Sequence, residues 1–349
     1  MSTTFIEGSV AVAKTVAVCR PHVISAYPIT PQTHIVEHLS ELVADGELKS
    51  EYVNVESEHS AASVVLGASA TGARTYTATT SQGFLLMIEV LFNIAGMRLP
   101  IVMTCVNRAV SAPINIWNDQ QDSMTARDSG WIQLYAEDNQ EASDMHLQAF
   151  KIAENKDIML PVMVCMDGFV LTHSFDPIEL ISQEQADKFL PPFKPEYYLT
   201  PKNPLSMGTM VGPEAYMETR YFIEKTMRAS LQVISDVATD FHNQFGRFQG
   251  GLIDTYKVED ATLVLVAMGS IIGTIKDIVD ELRAKGQKVG VLKVRSYRPF
   301  PKDEIYKALN HVKEIAVVEK AVSLGYGGIL VNEIKSVFYG KPKTPKING

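Results

Sequence analysis

A chain of 349 residues, 46% hydrophobic and 21% charged, carries enough apolar material for two globular cores. Its formal charge of −8, with lysine and arginine scattered along the sequence, excludes the basic stripe of a nucleic-acid-binding surface. No apolar run approaches the roughly 20 residues that span a bilayer, and the start MSTTFIEG lacks the basic-then-apolar layout of a secretory signal, so a cytoplasmic location without membrane insertion is expected.

The first half alternates short β-type runs with helical stretches. Strands are predicted at 22–27, 52–55, 75–79, 101–106 and 162–166, and helices at 32–42, 60–70, 83–95 and 139–154. Apolar runs that alternate with helices predict a parallel sheet covered on both faces. Residues 177–203, with FLPPFKPEYYLTPKNP at their centre, read as an extended Pro-rich linker. A helix at 213–245 follows, carrying Tyr221, Ile223, Met227, Leu231, Ile234, Val237 and Phe241 at helical spacing. The tail reads as a second α/β unit, with strands at 262–268, 288–294 and 314–318, helices at 274–284 and 302–309, and a glycine-rich turn LGYGG before a last helix. The boundaries expected are therefore 1–175, a linker and connecting helix at 176–250, and 251–349.

Cys19, Cys105 and Cys165 are far apart, form no C-x-x-C pair and lie among apolar neighbours. They read as reduced, buried thiols, and this chain alone has no set for zinc or an iron–sulfur cluster. The chemistry gathers at strand ends, where open parallel sheets bind their ligands. Glu58 follows a short strand and precedes a helix rich in small residues. It is either a first-turn acid that complements the helix dipole or an acid–base partner for a nitrogen heterocycle. Thr30 in AYPIT, between Pro28 and Pro31, is either a helix cap or a hydroxyl donor to an anion. Ser81, Gln82 and Gly83 form a polar turn before a helix N-terminus. Asn107 and Arg108 end an apolar strand, where the arginine either clamps a small carboxylate or bridges to Glu58, Asp119 or Asp122. Arg74 and Arg98 read as ordinary helix-end or loop charges.

The runs AYPITPQT, VNVESEHSA, TYTATTSQG, LPIVMTCVNRA, SAPINIWNDQQDSMTARDSGWIQLYAEDNQEASD, LVLVAMGS, VRSYRPFP and SLGYGG, in this order, resemble the α subunit of the 2-oxoacid:ferredoxin oxidoreductases, most closely the pyruvate enzyme. The resemblance spans nearly the whole chain. It implies an α/β fold: a pyrimidine-type, thiamine-diphosphate-binding parallel-sheet domain followed by a transketolase C-terminal-like domain. It implies that Glu58 hydrogen-bonds the aminopyrimidine ring and that Thr30 and Arg108, with Asn107 beside them, hold the substrate carboxylate; Ser81 and Gln82, from their polar turn, are expected to line the cofactor. No G-D-G…N run and no cysteine set is present. By the resemblance, a β subunit brings Mg2+, the diphosphate site and a [4Fe-4S] cluster. Further γ and δ subunits carry electrons to ferredoxin, and coenzyme A takes the acyl group. Pyruvate is the substrate implied, with 2-oxoisovalerate, aryl 2-oxoacids, 2-oxoglutarate and oxalate as alternatives. A non-catalytic assembly subunit is the reading from another class. The absence of a G-x-G-x-x-G turn after any candidate first strand argues against a nucleotide-binding dehydrogenase.

Overall fold

The computed structural model describes residues 3–349. The chain runs β1 (Thr3–Glu7), α1 (Gly8–Val18), β2 (Val23–Ser25), α2 (Thr33–Ala44), β3 (Glu51–Val53), α3 (Glu58–Ala70), β4 (Thr75–Thr79), α4 (Ser81–Gly96), β5 (Val102–Asn107), α5 (Gln121–Thr125), β6 (Ile132–Tyr135), α6 (Asn139–Ala153) and β7 (Val162–Asp167). It continues with β8 (Phe175–Glu179), α7 (Gln183–Phe189), α8 (Pro213–Phe245), β9 (Ile253–Tyr256), β10 (Leu263–Ala267), α9 (Ile271–Ala284), β11 (Val289–Val294) and β12 (Ser296–Arg298). Last come α10 (Lys302–Leu309), β13 (Glu314–Val317), β14 (Val322–Ser323), β15 (Gly327–Gly328), α11 (Ile329–Phe338) and β16 (Lys346–Asn348). In the first half every expected element lies within two residues of its predicted bounds, and α8 and α10 match them.

The first sheet has the order β12-β6-β7-β5-β4-β2-β3. All its pairings are parallel except that of β12, which adds antiparallel to β6. Every residue of β4, β5 and β7 is buried, as parallel strands covered on both faces must be. From β2 the chain crosses to β3 on one side, and from β4 it crosses to β5 on the other. The neighbours β2 and β4 therefore mark the topological switch point, outside whose carboxyl ends such sheets bind ligands. On one face lies a core including Val12, Ile35, Leu39 and Phe150. On the other, Ala61, Phe84, Met87 and Trp131 run without a break into Val264, Leu292 and Ile315 of the second sheet, ordered β16-β13-β10-β11-β9. The two sheets thus share one continuous core. A buried ionic network reinforces it: Lys293 and Arg295 reach Glu141 at 3.2 and 3.0 Å, all three groups at most 2% exposed.

Three expectations are corrected. The segment expected to be a continuous linker contains β8, paired antiparallel with β1, and α7, whose Ser182 and Gln185 make a reciprocal capping box. Irregular chain is confined to 190–212. Strand β8 was illegible because its partner lies at the far end of the sequence, whereas the capping box is a local signal. Arg74 is no ordinary helix-end charge. It is 4% exposed, grips Glu154 through Nε and Nη2 at 2.6 and 2.7 Å, and donates to the Cys19 and Pro191 carbonyls at 2.6 and 2.8 Å. It thereby pins the start of the irregular segment to the first sheet. Arg98 is half-buried and donates to the Ile158 carbonyl at 2.6 Å. The three cysteines are buried and free, Cys105 and Cys165 standing in register on β5 and β7.

Candidate functional site

The carboxyl ends of β2, β3, β4 and β5 each deliver a polar group to the same edge. After β3 the chain stays extended through Ser57, whose hydroxyl caps α3 by accepting the Ser60 N–H at 3.2 Å. That places Glu58 in the first turn of α3, 8% exposed. Its carboxylate makes no hydrogen bond or ion pair with any described residue. It packs instead on Gly83 of α4, where an added Cβ would lie 2.5 Å from Oε1. With no partner in the chain and its oxygens still accessible at the crevice, the carboxylate is open to a donor from outside.

After β4, Ser81 adopts a left-handed φ of 48°, a strained conformation for a residue with a Cβ. Its hydroxyl sits 2.5 Å from the Ala109 carbonyl and 2.6 Å from Gln82 Oε1. Gln82 Oε1 also accepts from Arg108 Nη2 at 3.0 Å, while Gln82 Nε2 is buried and unpartnered. Arg108, 7% exposed, donates through Nη1 to the Thr30 carbonyl at 2.6 Å, and its Nε has no partner. Burial holds its guanidinium pKa below the ordinary value, with the Asp122 charge opposing. The bridge to Glu58, Asp119 or Asp122 considered from the sequence does not form: no carboxylate oxygen among the described residues lies within ion-pair distance of this guanidinium.

Thr30 is exposed, and Gln32, not Thr30, stands at the N-cap of α2, so the capping alternative does not hold. The hydroxyl of Thr30 is uncommitted, while Gln32 ties this turn to β4 by donating to the Ala78 carbonyl at 2.7 Å. Asn107, fully buried, turns inward: its Nδ2 donates to Asp122 Oδ1 at 2.8 Å and to Ser123 Oγ at 2.7 Å.

Asp122 is the group the sequence reading considered only as an ion-pair partner. Fully buried on α5, it accepts from Ser81 N and Arg108 N at 3.0 Å, and from Asn107 Nδ2 and Ser123 N at 2.8 Å. It therefore fastens the ends of β4 and β5 to each other. Burial outweighs those hydrogen bonds and pushes its pKa up to about 6. Nothing local in NDQQDSMT signals this, because the acid acts on residues that only the fold brings to it.

The structure thus brings Glu58, Gln82, Arg108 and Thr30 to one edge at the switch point, with Ser81 and Asn107 supporting from below. An unpaired carboxylate at the crevice, an amide donor and a guanidinium donor fit a heterocycle with ring nitrogens beside a small anionic substrate. Among the described residues, no group of three or more His, Cys, Asp or Glu side chains is placed to hold a metal ion. No helix among them is long and apolar enough to cross a membrane.

Comparison with known proteins supplies the family. Residues 14–239 match the family model described as pyruvate flavodoxin/ferredoxin oxidoreductase, thiamine diP-bdg, and residues 261–349 match pyruvate:ferredoxin oxidoreductase core domain II. The chain is 57% identical to a pyruvate synthase subunit PorA of Methanosarcina barkeri, over 98% of this chain and 86% of the relative. It is 46% identical to a ketoisovalerate oxidoreductase subunit VorA of Pyrococcus horikoshii, over 97% and 86%. A solved 2-oxoglutarate:ferredoxin oxidoreductase from Magnetococcus marinus shares the fold at a TM-score of 0.75 and 20% identity. That match covers 99% of this chain and 62% of the other. A split-gene transketolase does so at 0.59 and 14%, over 99% and 88%. These matches, over nearly every residue, place the chain in the pyruvate flavodoxin/ferredoxin oxidoreductase family, with a thiamine-diphosphate-binding region followed by core domain II.

Proposed function

We propose that this chain is the α subunit of a pyruvate:ferredoxin oxidoreductase, which interconverts pyruvate and coenzyme A with acetyl-CoA, CO2 and reduced ferredoxin. The observation that carries the reading is the presence at one switch point of Glu58 and Arg108, two largely enclosed ionisable side chains without ionic partners, in a chain 57% identical to a pyruvate synthase subunit. Residues 1–175 form the pyrimidine-binding domain and 251–349 the transketolase C-terminal-like domain. Thiamine diphosphate, when bound, supplies the nucleophilic carbon and the electron sink for decarboxylating a 2-oxoacid.

The chain's own residues do the rest. Glu58 holds a proton at the aminopyrimidine ring nitrogen, and Gln82 Nε2 offers the neighbouring donor. Arg108 and the Thr30 hydroxyl orient the substrate carboxylate, so that an encounter becomes a positioned attack. Ser81 and Asn107 keep these groups in place through Asp122. The β subunit contributes Mg2+, the diphosphate site and a [4Fe-4S] cluster, and the γ and δ subunits the remaining clusters toward ferredoxin, all in the cytoplasm. Apolar surface supports such an assembly. Ile114 is 80% and Trp117 63% exposed beside Arg108, and Tyr216, Met217, Tyr221 and Phe222 are exposed on α8.

The test is a complex assembled with its sister subunits and purified without oxygen. Thiamine diphosphate per complex is measured, and turnover is measured on pyruvate, 2-oxoisovalerate and 2-oxoglutarate. Stoichiometric cofactor, preference for pyruvate and loss of turnover in Glu58→Gln with unchanged melting support the proposal. Absence of cofactor refutes it and favours an assembly subunit. Preference for 2-oxoisovalerate would favour the second reading, which the 46% identity to a ketoisovalerate oxidoreductase subunit keeps in view.

A further inference from the structure

The segment 109–118 follows Arg108 along the crevice without helix or strand. Its ends meet through a single backbone bond, from Ala109 N to the Trp117 carbonyl at 3.0 Å. Its apolar side chains Ile114, Ile116 and Trp117 face outward, so burial does little to hold it. Its far end is held from both sides: Asn118 Nδ2 donates to the Asn107 carbonyl of β5 at 3.5 Å, and the second sheet's unit supplies stronger bonds. Lys320, three residues past β13, donates from Nζ to Asn118 Oδ1 at 2.6 Å and to Asp167 Oδ2 at 2.8 Å. Its carbonyl accepts Gln120 N at 3.0 Å, and Val322 N donates to Gln121 Oε1 at 3.1 Å.

Asp167 is the anchor of this arrangement. It ends β7 in register with Asn107, and its side chain is fully buried. Its Oδ2 also accepts Ser270 N at 2.9 Å and Ser270 Oγ at 2.6 Å, at the start of α9. Gly269, at φ 75°, lets the turn approach this closely: a Cβ there would lie 2.9 Å from Asp167 Oδ2 and 2.8 Å from Gln120 Nε2. Two residues beyond Asp167, Phe169 packs against Trp117 at a tilt of 48°, with centroids 4.9 Å apart. The carboxylate thus takes donors from two separate elements of the second sheet's unit, and one of them, Lys320, also grips the loop.

We infer that Lys320 is a positioning residue of the substrate site: reaching across from the second sheet's unit, it fixes the 109–118 loop against β7 and so shapes the wall of the crevice that follows Arg108, where the substrate carboxylate is received. The inference rests on the 2-oxoacid reading of the crevice. It makes core domain II part of the substrate-binding apparatus without contact between Lys320 and substrate.

The experiment compares Lys320→Met and Lys320→Arg with the wild type in the assembled complex. It follows amide exchange in peptides covering 110–117 together with KM, kcat and thiamine diphosphate affinity. In Lys320→Met, exchange across 110–117 accelerates and KM for the 2-oxoacid rises about tenfold, while kcat and cofactor affinity stay within about twofold. Lys320→Arg, which keeps a cation at the same reach, restores KM to within about threefold of wild type. A lower melting temperature with unchanged KM would reduce Lys320 to simple glue between the units and overturn the inference, as would unchanged exchange in 110–117. If the wild-type complex turns over no 2-oxoacid, the functional reading fails separately and the exchange measurement alone judges the anchor.

Discussion

Replacing Gly83 with alanine tests the site through a residue that has no chemistry of its own. Gly83 sits in the first turn of α4 and is not among the glycines of positive φ, so alanine meets no backbone strain there. In a helix it even gains about 1 kcal/mol of propensity. The added Cβ, however, would stand 2.5 Å from Oε1, 2.7 Å from Cγ and 2.8 Å from Cδ of Glu58, where ordinary contact begins at 3.4 Å. The Glu58 carboxyl must therefore retreat by about 1 Å. Overpacking of this kind costs about 1–3 kcal/mol, which the helix gain partly offsets, leaving a net loss of about 0–2 kcal/mol and a melting shift of a few degrees. A 1 Å misplacement at a reacting group costs about 100-fold in rate, or about 2.7 kcal/mol of barrier. The assay is kcat/KM for 2-oxoacid-dependent reduction of an electron acceptor by the assembled complex, read beside thermal melting. Gly67→Ala in α3 is the control, because nothing lies within 4 Å of its added Cβ. It should stabilise slightly and leave turnover alone. A Gly83→Ala complex that melts normally and turns over within about threefold of wild type would show that the position of Glu58 does not matter, and the argument for it would fail.

Three further outcomes follow from other parts of the structure. Arg108→Ala removes the one guanidinium at the crevice and should raise KM for the 2-oxoacid by at least about 30-fold, from the 2–5 kcal/mol typical of a truncated buried ionic contact; steady-state kinetics with an unchanged KM would discard the clamp. Asp122 has a folded-state pKa raised from 3.8 to about 6, so between those values the folded chain binds its proton more readily than the unfolded chain. The contribution of this group to stability is therefore fullest below about pH 4 and declines as pH rises through about 6. The stability deficit of Asp122→Asn relative to wild type should accordingly narrow between pH 4 and pH 7 in denaturant titrations, and a widening deficit would contradict the burial argument. Arg74→Met strands Glu154 in a site 9% exposed and should cost about 3–5 kcal/mol by the same method. A loss below about 1 kcal/mol would return Arg74 to the ordinary surface charge its sequence context implied.

The parts of the molecule legible in advance share a property: their signals are local. Strands β4, β5 and β7 announce themselves as continuous apolar runs because a doubly covered parallel strand needs no polar face. Helix α8 carries its own limits, with Pro213 at its first turn and Gly246 beyond its end at φ 75°. Helix α1 went unassigned because it is buried on nearly every side, so GSVAVAKTVAV shows no amphipathic stripe to find. Among the candidate site residues, Glu58, Thr30 and Arg108 stand out in the sequence by their places at strand ends and by the motifs around them.

The order of residues alone determined which strand ends carry an acid, an amide and a guanidinium, since each follows its strand within a few positions. Only the tertiary structure decided which of those groups are free to meet a ligand. The Asn107 amide nitrogen and the Ser81 backbone N–H are committed to Asp122, Arg108 has no carboxylate beside it, Glu58 has no partner, and Lys320 arrives from the second sheet's unit to hold the neighbouring loop. The reason is physical. A side chain's position along the backbone is set by local geometry, but whether its charge or hydrogen-bonding capacity is already satisfied depends on groups that lie far away in the chain and meet it only when the core closes.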